Sequence, residues 1–336
     1  MRLRNTTLFL SAAALLSACT VRPEGQIVRY QGEAQGTTYQ ITTIVTDDDQ
    51  SFERSIDSIF KAVDQSMNPW HRTSLITRLN EGDTAVRIDG LFREVYNKSV
   101  EINRETGGRF DITVGALVNA YGFGPAGPSR MDSSRVDSLM RYVGMDKVQV
   151  DGDRVTKESP NVVFDFNAIA QGYTVDLLAE FLEAKGVTDY LVEVGGELRA
   201  KGVNLEGRVW RVGIDKPTEE RGSDPFQAII ALPGKSLATS GNYRKFRIDE
   251  ETGQRYVHTV DPLTGYTVQQ NLLSATVVAD QAMDADGYAT AFMVMGLEAS
   301  MEFINSHEGL EALLVYSDDK GEWKVYESKG FTELIR

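Results

Sequence analysis

The chain has 336 residues, which is enough to bury a sizeable core in one large domain or two lobes. Hydrophobic residues make up 41% of it and charged residues 25%, as in an ordinary globular protein, and the sequence contains no internal repeat or low-complexity tract. The net charge of −14 argues against a nucleic-acid-binding protein, because binding phosphates over a broad face requires a basic surface.

The first residues have the composition of an export signal. Two arginines precede an apolar run at 8–16 that is too short to anchor the chain across a bilayer. The next residues, Ser17-Ala18-Cys19, complete a motif that resembles a bacterial lipobox, whose cysteine is lipidated after cleavage. A plain secretory signal with an incidental cysteine is the alternative; Cys19 is the only cysteine and has no disulfide partner in the chain. We predict a signal peptide at 1–18, lipidation at Cys19, a flexible tether at 19–31 and a folded domain at 32–336.

The segments after the tether alternate between short strands and amphipathic helices. β-Branched and aromatic residues predict a strand at 36–41. Apolar residues at three- and four-residue spacing predict helices at 52–65 and 91–106. Between these helices, Trp70 follows a proline and is predicted in a loop, where its ring can stack on a flat ligand; burial in the core is the alternative.

The central stretch, 165–196, is the most informative part of the chain. An apolar strand at 162–166, a helix that ends at Gly186 and a second strand at 190–194 together predict a βαβ unit. Asp165 and Gln171 stand at the start of the helix, where free backbone amides can bind an anion. An ordinary αβ layer with a capping aspartate is the alternative.

Three further motifs follow the central stretch. Hydroxyls and a glycine at 239–241 favour either a phosphate-binding turn or a simple hydroxyl-capped turn. The residues at 261–265, Asp-Pro-Leu-Thr-Gly, predict a turn, and His258 lies on the strand that leads into it. Asp286 and Thr290 are four residues apart at the start of a predicted helix and so share one face, where their oxygens suit Mg²⁺.

Together these motifs resemble those of the ApbE family of FAD:protein FMN transferases. The resemblance covers nearly the whole chain after residue 30, and two positions depart from it: Gln171 stands where Lys or Glu is common, and Asn242 where Asp is common. It implies an α+β fold with two intimately packed lobes, a βαβ unit and the flavin site between the lobes. The segments that carry it are FDITVGALVNAYGFGP at 110–125, DFNAIAQGYTVD at 165–176, LVEVGGELRAKG at 191–202, VWRVGIDKP at 209–217, ATSGNYR at 238–244 and MDADGYATA at 283–291.

The resemblance also implies a role for individual residues. His258 or Asp286 is the catalytic base, and we favour His258, because imidazole accepts a proton near neutral pH and a metal-bound carboxylate does so poorly. Mg²⁺ is expected on the side chains of Asp286 and Thr290 and on the backbone carbonyl of Ala168. FAD is expected to contact Gln35, Trp70, Arg109, Phe110, Asp111, Asp165, Gln171 and Val260.

The implied reaction transfers FMN from FAD to a Thr or Ser hydroxyl of an acceptor flavoprotein and releases AMP. The resemblance implies an acceptor with an Asp-x-x-Ser/Thr-Gly-Ala-Ser/Thr motif, in a membrane redox complex, and an enzyme lipid-anchored in the bacterial cell envelope on its extracytoplasmic side. The alternatives are an FAD pyrophosphatase, a periplasmic FAD-binding lipoprotein without turnover, and a structural surface lipoprotein, against which the ordered motifs argue. The near match at 261–267 has Tyr266 in place of the small Ala and is interpreted as a turn.

Overall fold

A computed structural model describes residues 25–46, 51–217, 226–242, 246–248, 253 and 255–336. These residues form a mixed structure of helices and strands, which confirms the predicted α+β class. The predicted signal peptide and Cys19 lie outside the described residues, as do Tyr243 and Arg244 of the ATSGNYR segment. No helix within the described ranges is both long and apolar enough to pass through a bilayer.

The described strands follow one another along the whole chain. In chain order they are β1 (Gln26–Ala34), β2 (Thr37–Val45), β3 (Val148–Asp151), β4 (Arg154–Lys157), β5 (Tyr190–Val194), β6 (Glu197–Lys201), β7 (Arg211–Asp215), β8 (Phe226–Ala231), β9 (Ser236–Gly241), β10 (Phe246–Ile248), β11 (Arg255–Val257), β12 (Leu272–Ala279), β13 (Glu311–Ser317) and β14 (Trp323–Glu327).

Eight of these strands form the main sheet, in the spatial order β1-β2-β5-β6-β9-β12-β13-β14. All of its pairings in the described part of the chain are antiparallel. The pairs β3–β4, β7–β8 and β10–β11 are separate two-stranded sheets. The sheet therefore places β9 and β12 beside each other at its centre, although β10 and β11 separate them in sequence.

The helices include both of those predicted before the central stretch. In chain order they are α1 (Glu53–Met67), α2 (Leu75–Asn80), α3 (Gly90–Glu105), α4 (Gly115–Tyr121), α5 (Ser133–Met140), α6 (Ala170–Ala184), α7 (Ala282–Met295), α8 (Leu297–Ser306) and α9 (Lys329–Leu334). Residues Met145–Lys147 form a single 3₁₀ turn. Gly186 follows the end of α6 with a φ of 82°, as the sequence predicted for a helix-ending glycine.

Helices α6 and α7 pack against each other on the main sheet. One core cluster joins α3 and α7 to β12 and β13, with Phe92, Phe166 and Phe292 among its members. A second joins α1 and α6 to β2 and β5. Eleven of the 14 residues of α7 are buried, so its polar residues point into the protein rather than into solvent.

Two predictions about the central stretch and the tether are wrong. Residues 162–166 are not a strand: Val163 makes one isolated bridge to Val114, and β5, which follows α6, pairs antiparallel with β2 and β6. There is accordingly no βαβ unit here. The predicted tether also extends too far, because β1 begins at Gln26 and pairs with β2 along its whole length, which makes its residues part of the main sheet.

Candidate functional site

Helices α6 and α7 meet near their N-termini, where a backbone amide of α6 contacts a carboxylate of α7. The amide of Gly172 on α6 donates a hydrogen bond of 3.0 Å to Oδ2 of Asp286 on α7, and both groups are buried. A Cβ atom at Gly172 would lie 2.3 Å from the carbonyl oxygen of Ala282, so only glycine allows this approach. The carboxylate predicted to bind Mg²⁺ is thus held at the N-terminus of α6, where the helix dipole favours negative charge.

Thr290 lies one turn further along α7 and contacts the central strand β9. Its Oγ1 lies 3.1 Å from the Oγ of Ser240. Residues 239–241 do not form the predicted turn, because they belong to strand β9, and the hydroxyls of Thr239 and Ser240 contact β12 and α7. Ala168 stands in the turn just before α6, at the same end of that helix as Gly172. Asp286 and the Ala168 turn thus lie at the start of α6, and Thr290 lies one helical turn after Asp286 along α7.

His258 follows β11 and is connected to the same strand β9. Its neighbour Thr259 donates a hydrogen bond of 2.9 Å to Oδ1 of Asn242, the residue directly after β9. Asn242 thus supplies the same oxygen acceptor as the commoner aspartate. The His258 ring lies 6.3 Å from the ring of Phe123, centroid to centroid. The end of β9 therefore links the His258 segment, through Asn242, to the α7 helix, through Ser240.

The segment 109–115 lies beside the turn before α6. The amide of Asp165 donates to the carbonyl of Ile112 at 2.7 Å, and Asp111 accepts from both the amide and the hydroxyl of Thr113. Burial raises the pKa of Asp111 and of Asp165 above the ordinary carboxyl value. Because these two partly exposed carboxyl groups lie on adjoining backbone segments, this part of the chain is a candidate ligand site.

The remaining residues predicted to contact FAD differ in how far their side chains are exposed to solvent. Trp70 lies in a loop and is 56% exposed, which excludes the alternative of a core tryptophan. Phe110 and Val260 are buried, so their side chains are not exposed to a ligand; the amide and carbonyl of Phe110 are bonded to Thr106 and Asn103. Arg109 follows the turn at Gly108, where a Cβ atom would lie 3.3 Å from Leu263 of the 261–265 turn.

Two glutamine side chains connect α6 to its surroundings: Gln171 on the helix itself and Gln35 in the turn between β1 and β2. Gln171 donates from Nε2 to the carbonyl of Val194 at 2.9 Å, which ties the start of α6 to the end of β5. Gln35 has a φ of 53° and donates from Nε2 to Oγ1 of Thr174 at 3.0 Å. Its Oε1 is buried and has no hydrogen-bond partner among the described residues. A buried acceptor of this kind is satisfied when a ligand brings a donor to it.

The oxygen donors near α6 fit Mg²⁺ better than a transition metal. Within the described ranges, no group of three or more His, Cys, Asp and Glu side chains is placed to hold a metal ion. Asp286 and Thr290 instead offer one carboxylate and one hydroxyl, and Ala168 offers a carbonyl. Mg²⁺ is commonly bound through one or two carboxylates and completed by water and substrate phosphates. This donor set therefore suits a magnesium ion that binds together with a phosphate-bearing ligand.

Two residues that hold this site together were missed in the sequence, Gly172 and Asp176. Asp176 on α6 accepts hydrogen bonds from the first two amides of α7. The four-residue spacing from Gly172 to Asp176 places both on one face of α6, and this spacing is visible in the DFNAIAQGYTVD motif. The sequence does not show which element that face contacts.

The fold and site define an α+β protein with an oxygen-rich site where two helix N-termini meet beside an antiparallel sheet. The chain belongs to the ApbE family, whose model matches residues 35–314. It is 34% identical to the FAD:protein FMN transferase of Haemophilus influenzae over 93% of each chain, and 33% identical to that of Vibrio cholerae over 99% of each.

Solved structures agree with this membership. The flavin transferase ApbE from Vibrio cholerae superimposes with a TM-score of 0.81 at 32% identity, covering 92% of this chain and 99% of that one. The apo form of the Pseudomonas stutzeri flavinyl transferase ApbE gives a TM-score of 0.82 at 30% identity, covering 93% and 97%.

Proposed function

We propose that this protein transfers FMN from FAD to a Thr or Ser hydroxyl of an acceptor flavoprotein and releases AMP. The observation that carries the proposal is the contact of Asp286 with the start of α6, with Thr290 one turn further along α7, in a chain whose relatives are named FAD:protein FMN transferases. In this reaction the acceptor oxygen forms a bond to the flavin-side phosphorus of FAD. The bond from that phosphorus to the bridging oxygen breaks, and AMP leaves with the electron pair.

The residues near α6 would handle the charge of the diphosphate. Asp286, Thr290 and the carbonyl of Ala168 would hold Mg²⁺, which would neutralise charge that develops on the AMP leaving group. The amides of Ala170 and Gly172 at the start of α6 are bonded to the carbonyl of Phe166 and to Asp286, so the helix would favour an anion nearby through its dipole rather than through these donors. His258 would accept the proton of the attacking hydroxyl, and Asp286 would remain a ligand.

FAD would extend from this region toward the exposed Trp70. The indole ring of Trp70 is available to stack on one of the two ring systems of FAD. Asp111, Asp165 and the unpartnered Oε1 of Gln35 would accept hydrogen bonds from the substrate. Arg109, Gln171 and the backbone at Phe110 and Val260 would complete the contacts.

The proposal also includes the cellular location of the enzyme and the kind of acceptor protein. Lipidation of Cys19 would anchor the enzyme in the cell envelope, facing the extracytoplasmic side. The acceptor would be a flavoprotein of a membrane redox complex with an Asp-x-x-Ser/Thr-Gly-Ala-Ser/Thr motif. Attachment of palmitate to Cys19, and its loss in Cys19→Ala, would test the anchor by metabolic labelling.

Intact-mass spectrometry of an acceptor peptide tests the reaction. The purified protein, FAD, Mg²⁺ and a peptide with the acceptor motif should give an FMN adduct and an equal amount of AMP. A peptide with alanine in place of the acceptor hydroxyl residue is the control and should stay unmodified. Asp286→Ala should lower the transfer rate by about 10²–10³-fold, because one strong charge-stabilising contact is lost.

The same experiment separates the alternatives. AMP and free FMN without an adduct would identify an FAD pyrophosphatase. FAD binding in titration calorimetry without either product would identify a carrier. An FMN adduct on the enzyme itself that disappears in Thr264→Ala would mean that the 261–267 segment is an acceptor rather than a turn.

A further inference from the structure

The N-terminus of α7 is capped by a residue from another helix. The residue before α7, Gln281, makes no side-chain capping bond. Instead, Asp176 of α6 accepts from the amide of Ala282 at 3.0 Å through Oδ1 and from the amide of Met283 at 2.8 Å through Oδ2. Asp176 is only 3% exposed, so this contact lies in the interior. Its charge compensates the positive end of the α7 dipole.

Arg199 fixes this carboxylate to the main sheet. Its Nη1 atom on β6 donates to Oδ1 of Asp176 at 2.7 Å, and its Nη2 atom lies 3.4 Å from Oε1 of Glu183. Glu183 also accepts from Lys201 at 2.8 Å and from Tyr190 at 2.6 Å. The guanidinium is thus held by strand β6 and by two carboxylates of α6, and Asp176 has little freedom to change its rotamer.

The capping contact and the Gly172–Asp286 contact form a reciprocal pair. Asp176 of α6 binds the first amides of α7, while Asp286 of α7 binds an amide in the first turn of α6. Asp176 follows Gly172 by four residues, and Asp286 follows Ala282 and Met283 by four and three, which is about one helical turn in each helix. Together these two links fix both the rotation of α7 about its axis and its position along that axis.

We infer that Asp176 and Arg199 are positioning residues that hold α7 in the rotation at which Asp286 and Thr290 face the metal position. The inference rests on the proposed function for the role of Asp286. Neither residue would touch FAD or Mg²⁺. Loss of the cap would let the first turn of α7 rotate or fray, and Asp286 would lie in the turn that is affected.

A purely structural role for the network is the competing explanation, and Glu183 supplies the matched control. Glu183 of α6 contacts the same Arg199, yet its other partners in the described part of the chain are Tyr190 on β5 and Lys201 on β6 rather than any residue of α7. Glu183→Gln should therefore destabilise the protein without moving α7. Asp176→Asn keeps the size of the side chain but presents an amide group to the two backbone donors or to Arg199.

The experiment compares wild type, Asp176→Asn, Glu183→Gln and the double variant Asp176→Asn/Arg199→Gln. The double variant removes the arginine charge that the single variant leaves buried. Three quantities are measured: the Mg²⁺ concentration for half-maximal FMN transfer, Mg²⁺ binding by calorimetry with FAD present, and hydrogen exchange at the amides of Gly172, Ala282 and Met283.

For both Asp176 variants we expect an Mg²⁺ half-saturation at least about ten-fold higher, the size typical of losing a residue that orients a metal ligand. The rate at saturating Mg²⁺ should stay close to that of the wild type, and all three amides should exchange faster. Glu183→Gln should lower the melting temperature and leave Mg²⁺ half-saturation unchanged. Equal half-saturation in Asp176→Asn and Glu183→Gln would overturn the inference.

Failure of the proposed function gives a different result. If the wild-type protein transfers no FMN, that proposal falls, and the exchange measurement alone then judges the positioning role. Faster exchange at Gly172 in Asp176→Asn would support the link across the two helices, because Asp176 does not itself contact that amide. Unchanged exchange at Gly172 would overturn it.

Discussion

The hydroxyl of Ser240 lies 3.1 Å from the hydroxyl of Thr290, and this contact joins the central strand β9 to helix α7. The two residues are 50 positions apart in sequence. A hydroxyl that binds a metal through its oxygen is best oriented when a second group fixes its torsion angle. Ser240 is in position to do this for Thr290, just as Gly172 does for Asp286.

Ser240→Ala should therefore weaken Mg²⁺ binding by about ten-fold or more while leaving the fold intact. The matched control is Thr239→Val, because Thr239 makes a similar hydroxyl contact of 2.9 Å to Thr276 of β12 rather than to α7. Calorimetric titration with Mg²⁺ in the presence of FAD measures both variants. Similar affinities for the two would show that Ser240 does not orient Thr290.

His258→Ala should leave FAD and Mg²⁺ binding intact and lower the rate of FMN transfer by about 10²–10⁴-fold, the range for loss of a general base. Single-turnover AMP release at saturating FAD and Mg²⁺ gives the rate. His307→Ala is the control, because that residue follows α8, its ring stacks on Phe303 with the centroids 3.6 Å apart, and it has no role in the proposed site. Full activity in His258→Ala would transfer the role of base to Asp286 or to a water molecule.

Trp70→Ala should weaken FAD binding by about ten-fold, since stacking of one ring on an aromatic side chain contributes roughly 1–3 kcal/mol. The melting temperature should change little, because the side chain is 56% exposed. The control is Trp323→Ala, which removes a tryptophan of similar exposure, 49%, on the edge strand β14. This variant should keep the wild-type affinity for FAD. Fluorescence titration with FAD distinguishes the two variants; equal affinities would exclude the stacking role.

Asp165→Asn should stabilise the protein at neutral pH and weaken its binding of FAD. Burial raises the folded-state pKa of Asp165 above the ordinary value of 3.8, so ionisation costs the folded state free energy that the unfolded state does not lose. This free-energy cost is fully present above the folded-state pKa of Asp165. It decreases as the pH falls below that pKa and is gone below the ordinary pKa of 3.8. The asparagine keeps the acceptor for the amide of Asn167, which Asp165 binds at 2.8 Å.

Melting temperatures measured from neutral pH down to pH 3 test this expectation. The gain in Asp165→Asn should shrink as the pH falls and vanish below the ordinary carboxyl value. Asp319→Asn, at an exposed position in the loop before β14, is the control and should show no such gain. A constant difference between Asp165→Asn and wild type across this range would contradict the assigned cause.

The sequence predicted the local elements around the site but not how they meet. The 3.6-residue periodicity located α1, α3 and α6, and four-residue spacing placed Asp286 and Thr290 on one face of α7. The contact between Gly172 and Asp286 spans 114 positions, and no local pattern encodes it. The contact of Ser240 with Thr290 and that of Asn242, directly after β9, with Thr259 likewise depend on the order of strands in the sheet.

The wrong strand at 162–166 has a clear physical reason. Phe164 and Phe166 are both buried, so the segment has the alternation of a strand. The backbone of Phe164 is nevertheless satisfied by a side chain: Asn80 donates to its carbonyl at 2.9 Å and accepts from its amide at 2.8 Å. Alternation of buried and exposed residues predicts an extended backbone. It does not show whether a neighbouring strand or a side-chain amide such as that of Asn80 forms the hydrogen bonds to that backbone.

The spacing of the two reciprocal links limits which insertions α6 and α7 can accept. A single-residue insertion between Gly172 and Asp176 would rotate one contact relative to the other by about 100°. The same holds for an insertion between Ala282 and Asp286 on the partner helix. An insertion in either helical turn would therefore break one of the two links between α6 and α7.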